Sequence, residues 1–156
     1  MPRAAGNNPV PASGGFKEEK MSDRSNILIL DDEPIVCERL KSLLEKDGHH
    51  LEVFTDPVEA VQCLENNPID IVISDIRMKS MDGIQVMNRV SEKSKRIKVI
   101  LITGYATMEL AREAMAKGAF DFIAKPFKSR EIRETIRKAT EALQKKPARV
   151  HERTMA

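Results

Sequence analysis

Acidic residues follow two apolar runs of this sequence, and a lysine follows a third. Asp31 and Asp32 follow the first run, Asp75 follows another, and Lys125 follows the last. Carboxylates gathered in one cleft repel one another, and a hard divalent cation such as Mg²⁺ or a lysine offsets that repulsion. A carboxylate can attack phosphorus to form an acyl phosphate, and the transferred group needs cations and hydrogen-bond donors more than a base. These residue types therefore predict phosphoryl chemistry on a carboxylate.

Thr103 follows a fourth apolar run and adds a hydroxyl donor to this set. Each of these residues also has an ordinary structural explanation. An aspartate after a strand is commonly a turn residue or a helix cap, and acidic residues in a first helical turn are favoured by the helix dipole. Only the joint placement of complementary residues behind four separate runs favours a functional site.

The elements that must position these residues alternate along the chain as strand and helix. The predicted strands fall at residues 27–30, 51–54, 69–73, 99–102 and 120–123, and the predicted helices begin near Pro34, Asp56, Gly83, Ala106 and Ser129. Five such units imply a parallel sheet covered by helices on both faces. The fold class is therefore predicted as a doubly wound (βα)5, flavodoxin-like α/β domain.

The strand patterns predict the strand order. The first, third and fourth strands are continuous apolar runs, as expected for strands buried on both faces, whereas the second and fifth alternate, as edge strands do. This favours the order 2-1-3-4-5 over a barrel, which has no edges. Ligands of such open sheets bind beyond the carboxyl ends of the strands, so Asp31, Asp75, Thr103 and Lys125 should converge there.

The ordered set of motifs resembles bacterial two-component response-regulator receiver domains over about residues 25–145. The motifs are Asp31-Asp32, the stretch from Asp75 to Gly83, Thr103-Gly104 and Lys125-Pro126-Phe127. Two positions depart from the family's pattern. Lys79 stands where the family often has a proline, which removes no ligand, and Phe122 stands where the family often has a tyrosine.

The resemblance implies a role for each site residue. Asp75 is the phosphoacceptor, and Mg²⁺ is the cofactor. Asp32 and Asp75 bind Mg²⁺ directly together with the backbone carbonyl of Arg77, and Asp31 acts through a metal-bound water. Lys125, which precedes a cis peptide to Pro126, contacts the phosphoryl group.

The resemblance also implies residues that read out and time the phosphorylated state. Thr103 swings toward the phosphoryl group, and Phe122 is the aromatic switch, for which static packing on an edge strand is the alternative. Arg77 and Tyr105 occupy the positions that tune dephosphorylation. Both side chains are large, so we expect slow autodephosphorylation.

The function expected from these residues is a phosphorylation-dependent signalling switch. A sensor histidine kinase or a phosphotransfer protein would supply the phosphoryl group, and helix four, strand five and helix five would present the output face to an effector or a second copy of the chain. Such a chain is not an enzyme beyond its own phosphotransfer and autodephosphorylation. Two alternatives stay open: a Mg²⁺-dependent phosphohydrolase that passes through an aspartyl phosphate, and a phosphate-independent interaction module.

Composition limits the remaining possibilities. The net charge of +2 is too small to argue for nucleic acid or an anionic membrane, so we expect no direct binding of nucleic acid. No apolar run exceeds four residues, so we expect no membrane span and a cytoplasmic protein. The receiver is expected at residues 26–144, between a disordered leader at 1–25 and a basic flexible tail at 145–156. Met21, within the leader, is an alternative start of the natural chain. The tail is too short for an output domain, which predicts a stand-alone receiver or a fragment of a longer regulator.

Overall fold

The computed structural model describes residues 24–145. It contains five strands, β1 (Asn26–Leu30), β2 (His50–Phe54), β3 (Ile71–Asp75), β4 (Lys98–Thr103) and β5 (Asp121–Ala124). Five helices follow them in turn, α1 (Pro34–Lys46), α2 (Pro57–Asn66), α3 (Gly83–Lys93), α4 (Met108–Ala116) and α5 (Ser129–Gln144). Almost all of the predicted leader and tail lies outside the described residues.

The strands form one parallel sheet in the order β2-β1-β3-β4-β5, which confirms the predicted flavodoxin-like order. The edge strands are also as predicted. The residues of β2 are half-buried or exposed, whereas β3 is buried along its whole length. The carboxyl ends of β1, β3 and β4 therefore lie side by side in the middle of the sheet.

Two hydrophobic clusters cover the two faces of the sheet. Alternate residues of β1 divide between them: Ile27 and Ile29 pack toward α1 and α5, and Leu28 and Leu30 pack toward α2, α3 and α4. This division follows from the two-residue period of a strand, because neighbouring side chains point to opposite faces. Burial of both faces fixes the strand register, and hence the positions of residues at the strand ends.

Local sequence explains where most helices begin and end. Pro34 occupies the first turn of α1, and the Asp56 carboxylate accepts a hydrogen bond from the Val58 N–H at the start of α2. Gly48 and Gly118 follow α1 and α4 with φ of 91° and 106°, a backbone region that glycine enters at little cost. These glycines end the helices as predicted.

Several predicted boundaries are shifted. β3 begins at Ile71 rather than Ile69, and the carboxylate of Asp70, just before it, accepts a hydrogen bond from the Asn26 N–H at 2.8 Å. α4 begins at Met108 after an N-cap at Thr107, and Ser129 is the first residue of α5 rather than its cap. No helix within residues 24–145 is both long and apolar enough to span a bilayer.

Candidate functional site

Four elements deliver polar side chains to one edge of the sheet. Asp31 follows β1, Asp75 ends β3, Thr103 ends β4, and Lys125 follows β5. Asp75 pairs in register with Ile102, so β3 places it beside the end of β4. The predicted convergence of these residues is thus explained by strand order alone.

Three carboxylates form a compact cluster at this edge. Each of Asp31, Asp32 and Asp75 offers an oxygen within 4.8 Å of the other two. Asp31 is fully buried, Asp75 is buried, and Asp32 is exposed at the rim. One Asp31 oxygen, Oδ1, accepts a hydrogen bond from the Glu33 N–H at 2.9 Å, and the other, Oδ2, forms an ion pair with the Lys125 ammonium at 2.8 Å. A group of three neighbouring carboxylates, two of them buried, fits a hard divalent cation.

Lys125 neutralises part of this negative charge. Its ammonium lies 2.8 Å from Asp31 Oδ2, 3.0 Å from Glu33 Oε1 and 3.2 Å from Asp75 Oδ2, and its side chain is only 15% exposed. Its backbone N–H donates to the carbonyl of Thr103 at 2.8 Å, and the peptide to Pro126 is cis, as the resemblance implied. The lysine is held at both ends and bridges β5 to the carboxylates.

The environment shifts the pKa values of these groups. Burial raises the pKa of Asp75, and the neighbouring Asp31 raises it further, while Lys125 pulls it down in part. Burial also raises the pKa of Asp31 against the opposing effect of Lys125. Burial alone would lower the pKa of Lys125, but its three carboxylate partners outweigh burial and raise that pKa well above its ordinary value. Lys125 therefore stays charged, and the cluster carries more negative charge than one lysine neutralises.

Two hydroxyl side chains are buried close to Asp75. The Thr103 hydroxyl oxygen accepts a hydrogen bond from the Tyr105 N–H at 3.1 Å, which fixes the start of the loop between β4 and α4. The Ser74 hydroxyl donates to the carbonyl of Asp75 at 2.9 Å. Thr103 thus lies at the predicted edge, and its contact with a phosphoryl group stays a prediction.

Arg77 and Tyr105 contact each other across two loops. The guanidinium carbon of Arg77 lies 4.6 Å from the centroid of the Tyr105 ring, within the range of a cation–π interaction. Arg77 is exposed and Tyr105 is 62% exposed, so the pair lies on the surface, two residues beyond Asp75 and Thr103 along the chain. Phe122 lies apart from them, half-buried against the cluster beneath α2, α3 and α4.

Two residues of the site were not assigned a role from the sequence. Glu33 contacts Lys125, and the only sequence signal for it is its place directly after the aspartate pair. Gly83 packs against the backbone of Asp75 and Ile76: a Cβ on it would lie 2.5 Å from the carbonyl oxygen of Asp75 and 2.9 Å from Ile76 Cα. This close approach reveals a constraint that the sequence suggested only as a helix start.

Comparison with known proteins agrees with this geometry. The sequence model of the family described as "Response regulator receiver domain" matches residues 27–137. The response regulator protein TodT of Pseudomonas putida is 34% identical over 130 residues, which cover 83% of this chain and 56% of TodT. The transcriptional regulatory protein FixJ of Bradyrhizobium diazoefficiens is 30% identical over 119 residues, which cover 76% of this chain and 58% of FixJ.

The C4-dicarboxylate transport transcriptional regulatory protein DctD of Pseudomonas aeruginosa is also similar, at 34% identity over 120 residues. This match covers 76% of this chain but only 26% of DctD. The chain therefore spans between about a quarter and three fifths of the length of these relatives.

Solved structures of receiver domains share the fold. A receiver domain protein from Clostridium thermocellum superimposes with a TM-score of 0.71 at 28% identity, covering 75% of this chain and 94% of that one. The beryllofluoride-activated NtrC4 receiver domain, solved as a dimer, gives 0.73 at 29% identity, covering 76% and 98%. The chain therefore belongs to the response regulator receiver domain family, whose members are signalling modules of two-component systems.

Proposed function

We propose that this receiver domain is a phosphorylation-dependent switch that accepts a phosphoryl group on Asp75 from a sensor histidine kinase or a phosphotransfer protein. The observation that supports this best is the position of Asp75. Its carboxylate lies at the end of the central strand β3, within 4.8 Å of two further carboxylates and 3.2 Å from the Lys125 ammonium. This arrangement combines a nucleophile, a cation and a place for a divalent ion.

The transfer step uses a carboxylate oxygen of Asp75 as the nucleophile. This oxygen forms a bond to phosphorus while the bond from phosphorus to the donor's imidazole nitrogen breaks, and the imidazole leaves with that electron pair. Negative charge spreads over the phosphoryl oxygens, where Lys125 and the Thr103 hydroxyl stabilise it. Burial keeps Asp75 out of bulk water, which strengthens both interactions.

The cation expected at the cluster is Mg²⁺, which would supply positive charge to the phosphoryl oxygens. Its direct ligands would be Asp32, Asp75 and the backbone carbonyl of Arg77, and Asp31 would act through a bound water. The cluster has more carboxylates than Lys125 can neutralise, and this supports the assignment, because a divalent cation would offset the repulsion that remains among them. A cytoplasmic location, where ATP-dependent kinases act, belongs to the same proposal.

The output would be a change on the face formed by α4, β5 and α5. A phosphoryl group on Asp75 would draw the Thr103 hydroxyl toward it and release the Tyr105 N–H, and Phe122 on β5 would follow into the space made available. α4 is suited to move, because Ala114 is its only fully buried residue. This face would then bind an effector or a second copy of the chain. The dimer reported for the NtrC4 receiver domain supports the second of these partners.

The phosphoryl group would be lost slowly. Hydrolysis requires a water in line with the bond from Asp75 to phosphorus, and the stacked Arg77 and Tyr105 side chains cover the surface beside that site. Apart from this hydrolysis and its own phosphotransfer, we expect no turnover of an external substrate. The phosphohydrolase and interaction-module alternatives are not favoured by the family membership.

Beryllofluoride binding monitored by NMR tests this function, since beryllofluoride with Mg²⁺ mimics an aspartyl phosphate. We expect amide shifts centred on Asp75, Thr103 and Lys125 that extend into α4, and we expect EDTA to abolish them. Failure of the protein to bind Mg²⁺ would favour the interaction module. Turnover of an aryl phosphate by the wild type would favour the hydrolase.

A further inference from the structure

Glu33 sits at the start of α1 but does not act as its cap. It occupies the N-cap position, yet its side chain makes no capping hydrogen bond to the helix. Instead, Glu33 Oε1 lies 3.0 Å from the ammonium nitrogen of Lys125, a residue 92 positions away in the sequence. The side chain therefore serves the site rather than its own helix.

Three carboxylates surround the Lys125 ammonium, which also contacts the phosphoryl group in the proposed function. Those of Glu33 and Asp75 accept hydrogen bonds from it at 3.0 and 3.2 Å, and that of Asp31 forms an ion pair with it at 2.8 Å. The phosphoryl group would therefore compete with these carboxylates for the ammonium.

Burial decides which partner gives way. Asp31 is fully buried, and its second oxygen is already held by the Glu33 N–H, so moving its carboxylate would break two interactions. Asp75 carries the phosphoryl group itself. The Glu33 side chain is 59% exposed, so water replaces the lysine at its carboxylate at little cost.

We infer that Glu33 is a positioning residue that holds Lys125 in the unphosphorylated state and competes with the phosphoryl group for it. This inference rests on the proposed function. Glu33 keeps the ammonium over the carboxylates before transfer, and its release accompanies phosphorylation. Its presence lowers the affinity of the site for a phosphoryl group and so favours the unphosphorylated state.

The affinity for beryllofluoride at saturating Mg²⁺ measures this competition. Glu33→Gln should bind beryllofluoride about three-fold more tightly than the wild type, an effect of the size expected for one exposed ion pair. Glu38→Gln is the matched control. This substitution removes the same charge from another exposed position of α1, and Glu38 does not contact Lys125. It should bind as the wild type does. Urea unfolding of each variant in EDTA should give the wild-type midpoint concentration, since both positions are exposed.

Glu33→Asp separates contact from charge. Aspartate keeps the negative charge but is one methylene shorter, so it loses its reach to Lys125 and should tighten beryllofluoride binding as Glu33→Gln does. If Glu33→Asp bound beryllofluoride as the wild type does while Glu33→Gln bound it more tightly, the inference would be overturned. The charge at position 33 would then act by repelling the bound anion rather than by holding Lys125. Equal beryllofluoride affinity of the wild type and Glu33→Gln would overturn this inference but not the proposed function. No beryllofluoride binding by any of the proteins, the wild type included, would overturn the proposed function as well.

Discussion

At the scale of single residues, the site is defined by an imbalance of charge. Asp31, Glu33 and Asp75 all approach one ammonium, and Asp32 adds a further carboxylate at the rim. Burial makes this imbalance costly for the folded state, because the pKa values of Asp31 and Asp75 are raised rather than lowered despite the lysine. The repulsion among these carboxylates thus destabilises the folded protein locally, and binding at this site can relieve it.

Removing one carboxylate should stabilise the metal-free protein. In EDTA at neutral pH, we expect Asp75→Asn to raise the free energy of unfolding by about 1 kcal/mol, because it removes a buried charge with a raised pKa. Chemical denaturation measures this difference, and Mg²⁺ should narrow it by stabilising only the wild type. Asp82→Asn is the control, since Asn still caps α3 at this position.

The pH dependence of that difference follows from the sign of the shift. The folded-state pKa of Asp75 lies above its ordinary value of 3.8, so the folded state favours the protonated carboxyl. Below pH 3.8 the carboxyl is protonated in both states and costs nothing. The cost appears as the pH rises from that value through the raised pKa, and it is complete above it. A difference that shrinks as the pH rises would contradict this explanation.

The stacked pair of Arg77 and Tyr105 should control the lifetime of the phosphoryl group. Tyr105→Ala removes the ring that lies 4.6 Å from the guanidinium, and we expect loss of the phosphoryl group to become about three-fold faster as water gains access. Met108→Ala removes another exposed apolar side chain outside the pair and should leave the rate unchanged. Decay of the phosphorylated protein, followed by mass spectrometry, gives these rates. A wild-type half-life of only seconds would contradict the expected slow hydrolysis.

At the scale of elements, the loop that carries Asp75 is shaped by the start of α3. The N–H of Gly83 donates to the carbonyl of Ile76 at 2.8 Å, and its missing Cβ allows the helix to pack directly on the backbone of Asp75. The Asp82 and Gln85 side chains complete a capping box that holds this turn. The position of Asp75 is therefore set jointly by β3 and by the first turn of α3.

A methyl group at position 83 should disturb this packing. We expect Gly83→Ala to lower the free energy of unfolding by about 1–3 kcal/mol, because the backbone of Asp75 cannot move away without displacing β3. Phosphorylation by acetyl phosphate should slow as well, since the Asp75 carboxylate shifts with its backbone. Gly104→Ala is the control: a Cβ there would meet no atom within 4 Å. Equal losses in the two variants would show that the close approach is unimportant.

At the scale of the whole molecule, hydrophobic patterning determines which side chains meet. The order of the sheet and the convergence of Asp31, Asp75 and Lys125 were predictable from the sequence, because buried strands, edge strands and the ligand-binding edge of a parallel sheet follow simple rules. Boundaries were less predictable. At the start of β3, for example, the side chain of Asp70 bonds to a residue on a different strand, a contact that no local pattern contains.

The contacts of long exposed side chains were also beyond sequence reasoning. The sharing of Lys125 with Glu33 and the stacking of Arg77 on Tyr105 depend on loop paths and rotamers that only the folded chain defines. The sequence predicts the residues of the site through topology, while their pairing requires the structure. The roles of Thr103 and Phe122 as switch residues stay predictions, since they concern a second conformation.

The most direct test of the central claim is the intact mass of the protein after incubation with acetyl phosphate and Mg²⁺. We predict that the wild type and Asp82→Asn each gain the mass of one phosphoryl group, that Asp75→Asn gains none, and that EDTA prevents the gain in every case. The matched pair differs only in which loop aspartate becomes an amide. An unchanged phosphorylation signal in Asp75→Asn would contradict the assignment of Asp75 as the residue that receives the phosphoryl group.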